Sequence, residues 1–520
     1  MDTALPGGRA RPAWRRWLAP ASILVLAAAL RLPAIGRDGM WSDECLTATW
    51  AELPWRDTLA AAASDNNAPL YFLLEKLPVA LLGSSELAWR LLPALLGLLT
   101  VWAIYAAGRR LLSPAAGWIA AFLLATSPLH VHYSREARNY TLLILLVLLA
   151  FMAAARVRSR GRAADVALLA ALLAAALYTH PTAAFAALGV LVAWSVFPFD
   201  RKAAGRLAIA ALLAGAALAP WVPRLLHQGG RAGESYSWHQ PGFEREFPWQ
   251  VPRSLAALSH GSLAPIRNRV PDLLPSAWAA AGLTVLLAGL AVARRRALAQ
   301  EALPLRLLVA ALLPLVALFA AASLGPPVYV VGRTDAFVLP LLLLLVAAGV
   351  AGYRSAAVRA LAVVAFAGLA LLPMRVLLQV DTRSQEKLIA RLLSGERRPG
   401  EPVVATAMLP CLQFYAGLTR GMDLIAYPER PAVTTSWVDW PAHPTERWPA
   451  EAADVAARAR EWANRDRATR LWVVRSRDPL GETLARAFDR TCPLLGARDL
   501  HYLGLELRAY HLSGVPQPDQ

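Results

Sequence analysis

Long apolar runs, each near the length of a bilayer crossing, recur through the first 376 residues of the chain. A helix needs about 20 apolar residues to cross a hydrocarbon core about 30 Å thick. Such a helix satisfies its own backbone donors and acceptors where no water can. The expected spans are 17–34, 88–108, 113–130, 139–155, 164–180, 182–198, 205–225, 275–293, 303–323, 334–352 and 357–376. With 57% apolar residues and a mean hydropathy of +0.41, a soluble globular chain is excluded. The first run follows Arg9, Arg11, Arg15 and Arg16, and no small-residue cleavage site follows Leu30-Arg31-Leu32-Pro33. It therefore reads as a retained anchor rather than a signal peptide.

A net charge of +17 invites a nucleic-acid reading, but its distribution argues against one. The basic residues punctuate the gaps between spans: Arg109-Arg110, Arg156 to Arg162, Arg201-Lys202 with Arg206, Arg294 to Arg296, and Arg354 with Arg359. With eleven spans, these and the N-terminal arginines fall on one side, which the positive-inside rule makes cytoplasmic. The expected organisation is a basic cytoplasmic N-terminus (1–16), a membrane domain (17–376) and an outer tail (377–520). Residues 35–87, 131–138 and 226–274 become outer segments. Leu70–Leu82 is short and carries Glu75-Lys76 and Pro78, so it is expected to lie in the interface.

In the tail the apolar runs shorten. Pro402–Met408 and Leu471–Val474 read as strands and Glu451–Trp462 as a helix, a small α/β domain without a nucleotide-phosphate loop. Trp437, Trp440 and Trp448 read as interfacial packing. Cys45, Cys411 and Cys492 lack metal-ligand spacing; Cys411 and Cys492 could pair outside the cell, and Cys45 is expected to be reachable from there.

Chemistry-bearing residues gather on the outer side. The adjacent acids Asp43-Glu44 lie just past the first span, in Gly39-Met-Trp-Ser-Asp-Glu-Cys-Leu-Thr47. Carboxylates at a membrane surface are costly to hold and commonly mark chemistry. The same loop carries Tyr71, Lys76 and Arg90, and the next outer segment carries Arg135-Glu136-Ala-Arg138-Asn-Tyr140. His180 and Arg333 stand at later outer ends. The plain alternatives are a Glu136 ion pair with Arg135 or Arg138, snorkelling by Lys76, Arg90 and Arg333, an interfacial anchor at His180, and an Asp335–Arg333 pair. A mixture of carboxylates and arginines suits transfer of a sugar from a polyprenyl phosphate. A carboxylate can take the acceptor's proton or orient an amine, and arginines can clamp the departing phosphate.

Trp41-Ser-Asp-Glu44, Asn67-Ala-Pro-Leu-Tyr71, Glu86-Leu-Ala-Trp-Arg-Leu-Leu-Pro93 and His132-Tyr-Ser-Arg-Glu-Ala-Arg-Asn-Tyr140 occur in that order. In this the chain resembles glycosyltransferase family 39, a bacterial group related to protein mannosyltransferases and lipid A aminoarabinose transferases. The resemblance covers about residues 17–200. It implies a multi-spanning GT-C fold in the bacterial inner membrane with the active site on the outer face, and inversion at the anomeric carbon. It implies that Asp43 is the catalytic carboxylate, that Glu44 assists it or orders the loop, and that Glu136 is a second acidic position. Arg138 and Tyr140 share that motif. Arg333 matches an arginine opening a late span, although Arg333-Thr-Asp335 stands where such enzymes often have Arg-Tyr.

The expected activity is thus a hexosyl- or pentosyltransferase moving sugar from a polyprenyl-phosphate donor to a protein, lipid or wall-glycan acceptor. Arg135, Arg138, Tyr140, Tyr71, Lys76, Arg90, His180 and Arg333 are candidates for holding donor phosphate. No cofactor is required by this reading, and a divalent ion, if used, would fall to Asp43 and Glu136. The rival classes are a polyprenyl-lipid or glycolipid transporter and a scaffold presenting the tail. A transporter should place ionisable groups through the membrane and on both faces, whereas here the acids gather on one.

Overall fold

The computed structural model describes residues 15–65, 67–236, 244, 247–259, 275–297, 302–379, 384–406, 409–418, 424–427, 448–466, 468–476, 479–500 and 505–511. Arg9, Arg11, Trp437, Trp440, the Trp448 side chain and much of the 226–274 loop lie outside them.

Helix α1 (Arg15–Arg31) precedes three short helices, α2 (Ser42–Glu52), α3 (Trp55–Ser64) and α4 (Leu70–Leu82). The bundle continues with α5 (Glu86–Leu111), α6 (Pro114–Ala125), α7 (Pro128–Tyr133), α8 (Tyr140–Arg160), α9 (Ala163–Leu177), α10 (Ala183–Val196), α11 (Arg201–Leu218) and α12 (Val222–Tyr236). Then come α13 (Gln250–Leu258), α14 (Pro275–Ala293), α15 (Leu303–Leu324), α16 (Leu339–Ala351) and α17 (Ala356–Gln379). Among the described residues, 6 helical stretches are long and apolar enough to cross a membrane, and shorter apolar helices occupy the remaining expected spans. Two of the short ones have a visible cause. Pro128 and Pro181 cannot continue a helix, so the expected span 113–130 splits into α6 and α7, and 164–180 ends at Leu177.

Apolar surface all round a helix means burial. Helix α8, with 83% of its apolar window inside the protein, and α16, buried along nearly its whole length, form the centre. The window at 201–229 is only 17% buried and lies at the periphery. Small residues allow close crossings: a Cβ on Gly117 of α6 would lie 2.7 Å from the Arg109 amide nitrogen and the Tyr105 carbonyl oxygen of α5. Helix α4 buries Tyr71, Phe72, Glu75 and Pro78 and exposes Leu74, Leu77, Leu81 and Leu82.

The tail forms a five-stranded sheet in the order β2-β1-β3-β5-β4. Its strands are β1 (Val403–Ala405), β2 (Leu424–Ala426), β3 (Arg470–Ser476), β4 (Leu494–Leu500) and β5 (Leu505–His511). β1 pairs in parallel with β2 and β3, and β5 antiparallel with β3 and β4. Two helices, α20 (Trp448–Arg465) and α21 (Pro479–Asp489), pack on one face around Val455, Leu471, Leu484 and Phe488. The other face carries α18 (Ser384–Glu396) and α19 (Leu409–Ala416) and shares a core with the first loop: Met40, Cys45 and Ala48 meet Ile389, Cys411 and Trp472. The sheet is therefore seated on α2.

All three cysteines are buried. Cys411 lies beside Cys45, whereas Cys492 belongs to the core on the opposite face of the sheet, so the Cys411–Cys492 pairing does not form. Cys45 is fully covered, and an impermeant reagent does not reach it in this state.

Candidate active site

Helical geometry separates the adjacent acids. Consecutive side chains diverge by roughly 100° around a helix, and Asp43 and Glu44 occupy the first turn of α2, where the dipole favours negative charge. Glu44 turns inward: its two oxygens take bonds from Arg90 Nε and Nη2, both at 2.8 Å, and Oε1 also accepts from the Ala137 amide at 2.9 Å. Arg90 places its remaining hydrogens on the carbonyls of Ile35, Asp38 and Gly39 at 2.8–3.0 Å. Arg90 is thus the buried lock of the first loop. With its donors engaged and its side chain covered, it does not stand ready for a phosphate, which corrects the sequence expectation. Glu44 orders the loop.

Asp43 faces the other way. Its Oδ2 accepts from Arg333 Nη2 at 2.6 Å, and Arg138 Nη2 lies 3.9 Å away. Arg333 also donates through Nε to the Tyr140 hydroxyl at 2.6 Å, and its guanidinium lies 5.8 and 5.7 Å from the Trp41 and Tyr140 ring centres. Arg138 reaches the Asp43 carbonyl, Thr47 Oγ1 and Asn67 Oδ1, each at 3.4 Å. Glu136 accepts from Trp41 Nε1 at 3.1 Å, and His132 Nε2 lies 2.9 Å from its other oxygen. Arg333 keeps 28% of its side chain exposed while Asp43 keeps 8%, so the cluster opens beside Arg333.

Two tyrosines position this cation. Tyr133 packs on Tyr140 with ring centres 4.5 Å apart, and its hydroxyl donates to the Gly332 carbonyl at 2.6 Å. Asp335, the expected partner of Arg333, instead accepts from Ser254, which bonds the Tyr329 hydroxyl at 2.7 Å. That frees Arg333 to turn toward α2.

The remaining candidates make other bonds. Lys76 donates to the carbonyls of Ala51 and Leu53, closing the end of α2 opposite Asp43. Arg135 bonds the Arg31 and Pro33 carbonyls at 3.0 and 2.8 Å. The Tyr71 hydroxyl donates to buried Glu75. His180 accepts from the Thr182 amide at 3.1 Å and stands behind Tyr140, 6.1 Å between ring centres. Thus Arg138 and Arg333 gather on Asp43 with Tyr140 and His180 behind them, while Arg135, Lys76 and Arg90 donate to backbone carbonyls and Tyr71 to Glu75.

Sequence reasoning missed Trp41, Thr47 and Asn67 as members of the site. Thr47 follows Asp43 by one helical turn, a legible signal, and Asn67 lies in a motif already noted. Asp43 is held by guanidinium groups, and among the described residues no group of three or more His, Cys, Asp or Glu stands together to hold a metal ion.

The chain is similar to ArnT from Cupriavidus metallidurans in its apo state, with a TM-score of 0.59 at 14% identity, covering 98% of this chain and 100% of that one. The same protein bound to undecaprenyl phosphate matches with 0.59 at 15% identity over the same shares. The archaeal oligosaccharyltransferase AglB from Archaeoglobus fulgidus, in complex with an inhibitory peptide and a dolichol-phosphate, matches with 0.50 at 13% identity, covering 97% of this chain and 75% of that one. This is a GT-C fold. Residues 66–227 match the family described as dolichyl-phosphate-mannose-protein mannosyltransferase. The likeness to glycosyltransferase family 39 therefore stands, over a stretch that includes the 132–140 motif but neither Asp43 nor Arg333. No curated protein matches the chain. Within the GT-C fold, the Asp43 cluster is thus read from this chain's own geometry.

Proposed function

We propose that this protein is a membrane glycosyltransferase that moves a sugar from a polyprenyl-phosphate donor to an acceptor outside the cytoplasm, with Asp43 as catalytic carboxylate. The observation that carries the reading is the placement of Asp43 against Arg333 and Arg138 at an opening beside α2. Two guanidiniums face Asp43, with Glu136 close enough to act on both, and Arg333 stands at the opening where the donor's phosphodiester would arrive. Arg333 donates in a planar fork suited to phosphate oxygens. As the glycosidic bond breaks, the phosphate gains charge, and these donors stabilise it most at that moment.

Asp43 then accepts the proton of an attacking hydroxyl, or orients an amine, on the face of the sugar opposite the phosphate, giving inversion. Arrival of the phosphate competes for the arginines and releases Asp43 from its ion pair, so the base becomes available only with donor in place. Glu136, held by Trp41 and His132, lines the same face. The bilayer carries the isoprenoid chain. In this reading the cluster lies on the outer face of the inner membrane, which the run of arginines between alternate expected spans supports.

The test is incubation of purified protein with a panel of polyprenyl-phosphate hexoses and pentoses, following release of polyprenyl phosphate. The reading expects release from at least one donor, with and without chelator. Binding of donors and movement across vesicles with no release would favour a transporter and overturn it.

A further inference from the structure

Cys45 follows Glu44 in α2, and Cys411 lies in α19 of the tail. Their sulfurs stand 3.0 Å apart although 366 positions separate them in the chain. That is inside van der Waals contact, and closing to a bond of about 2.05 Å needs roughly a further 1 Å. Both side chains are fully buried in the core shared by the loop and the sheet. The carbonyl oxygen of Met40 lies 3.6 and 3.8 Å from the two sulfurs, and Glu386 Oε2 lies 3.3 Å from Cys411 Sγ. Glu386 also accepts from Ser42 at 3.0 Å, beside Asp43.

We propose that Cys45 and Cys411 are joined as a disulfide that fixes the tail to the helix carrying Asp43. The proposal rests on the outward placement of this face, since disulfides persist in oxidising compartments. The oxidant is a dithiol-oxidising protein or small disulfide, R–S–S–R. The Cys411 proton passes to Glu386, and the thiolate attacks one sulfur of the oxidant, releasing the first thiolate as a mixed disulfide forms. Cys45, deprotonated in turn, attacks the Cys411 sulfur and releases the second. Two electrons leave with the oxidant, and the two protons end on two R–SH.

Burial raises both thiols and pushes the Glu386 carboxyl up to about 7. Thiolate therefore forms before the tail has closed over α2, and the finished bond is shielded from reductant. It is a permanent link, not a cycling switch. Once formed, it holds α19 to α2 together with the Met40–Tyr415 hydrogen bond of 2.7 Å.

The experiment uses the full-length protein, denatured in N-ethylmaleimide straight from membranes, digested without reduction and read by mass spectrometry. The expected product is one peptide pair joined through Cys45 and Cys411, with Cys492 carrying maleimide. Maleimide on both Cys45 and Cys411 without reduction overturns the proposal. In parallel, intact cells or right-side-out vesicles are probed for a C-terminal epitope. If the epitope is reached while both thiols are blocked, the disulfide alone fails; if it is not reached, the outward placement has failed with it. Melting supplies a second readout: Cys45→Ala, Cys411→Ala, the double variant and reduced wild type should share one lowered midpoint, and additive single losses would contradict a bond.

Discussion

Replacing Arg90 with methionine separates a lock from a ligand. The side chain keeps apolar length but loses every hydrogen bond to Glu44 and to the carbonyls of Ile35, Asp38 and Gly39. Removing one partner of a buried ion pair costs about 3–5 kcal/mol, because the other charge stays behind without compensation. Each carbonyl stranded away from water adds about 1–3 kcal/mol unless it moves, so about 3 kcal/mol is a lower bound for Arg90→Met. The damage should concentrate in the first loop and in the tail seated on it. The assay is thermal melting in detergent together with limited proteolysis of the tail. Adding Glu44→Gln removes the stranded charge and should recover roughly 1–3 kcal/mol of coupling. If Arg90 instead clamped donor phosphate, Arg90→Met would melt normally and lose only donor binding. That result would refute the assignment.

Arg333→Lys keeps the charge but cannot span Tyr140 and Asp43 together, so donor KM should rise about 10-fold, near 1.4 kcal/mol, with melting unchanged. An unchanged KM would remove Arg333 from the site. Glu386 is held near 7 by burial, above the ordinary carboxyl value, so the folded state binds its proton more tightly than the unfolded chain. Its contribution is full at pH 4 and is lost as pH rises toward 7, an effect of at most about 3 kcal/mol. Glu386→Gln should therefore melt above wild type at pH 8 and close to it at pH 5; a constant difference across that range would contradict the shift.

The bundle was legible because the physics is local. Apolar length and the arginine gaps pointed to the apolar helices, six of which are long enough to cross a membrane, and the prolines at 128 and 181 shortened two of the expected spans. Asp43, Arg138, Tyr140 and Arg333 were legible as candidates because polar groups at a membrane edge stand out. Their sorting was not. Arg90, Arg135 and Lys76 look alike in sequence, yet carbonyls 23 to 104 positions away take their donors. The seating of the tail on α2 and the Cys45–Cys411 contact join segments 366 positions apart, with no periodicity to announce them. Strands β2, β4 and β5 escaped notice because short apolar stretches in a mixed sheet resemble loop sequence.

The most direct test of the central claim is turnover by purified Asp43→Asn beside Glu44→Gln, each checked for melting. The amide keeps the size of Asp43 but cannot take a proton. Transfer should fall about 10²- to 10⁴-fold while the protein stays folded, and Glu44→Gln should lose stability before it loses chemistry. Near-normal turnover by folded Asp43→Asn would contradict the account.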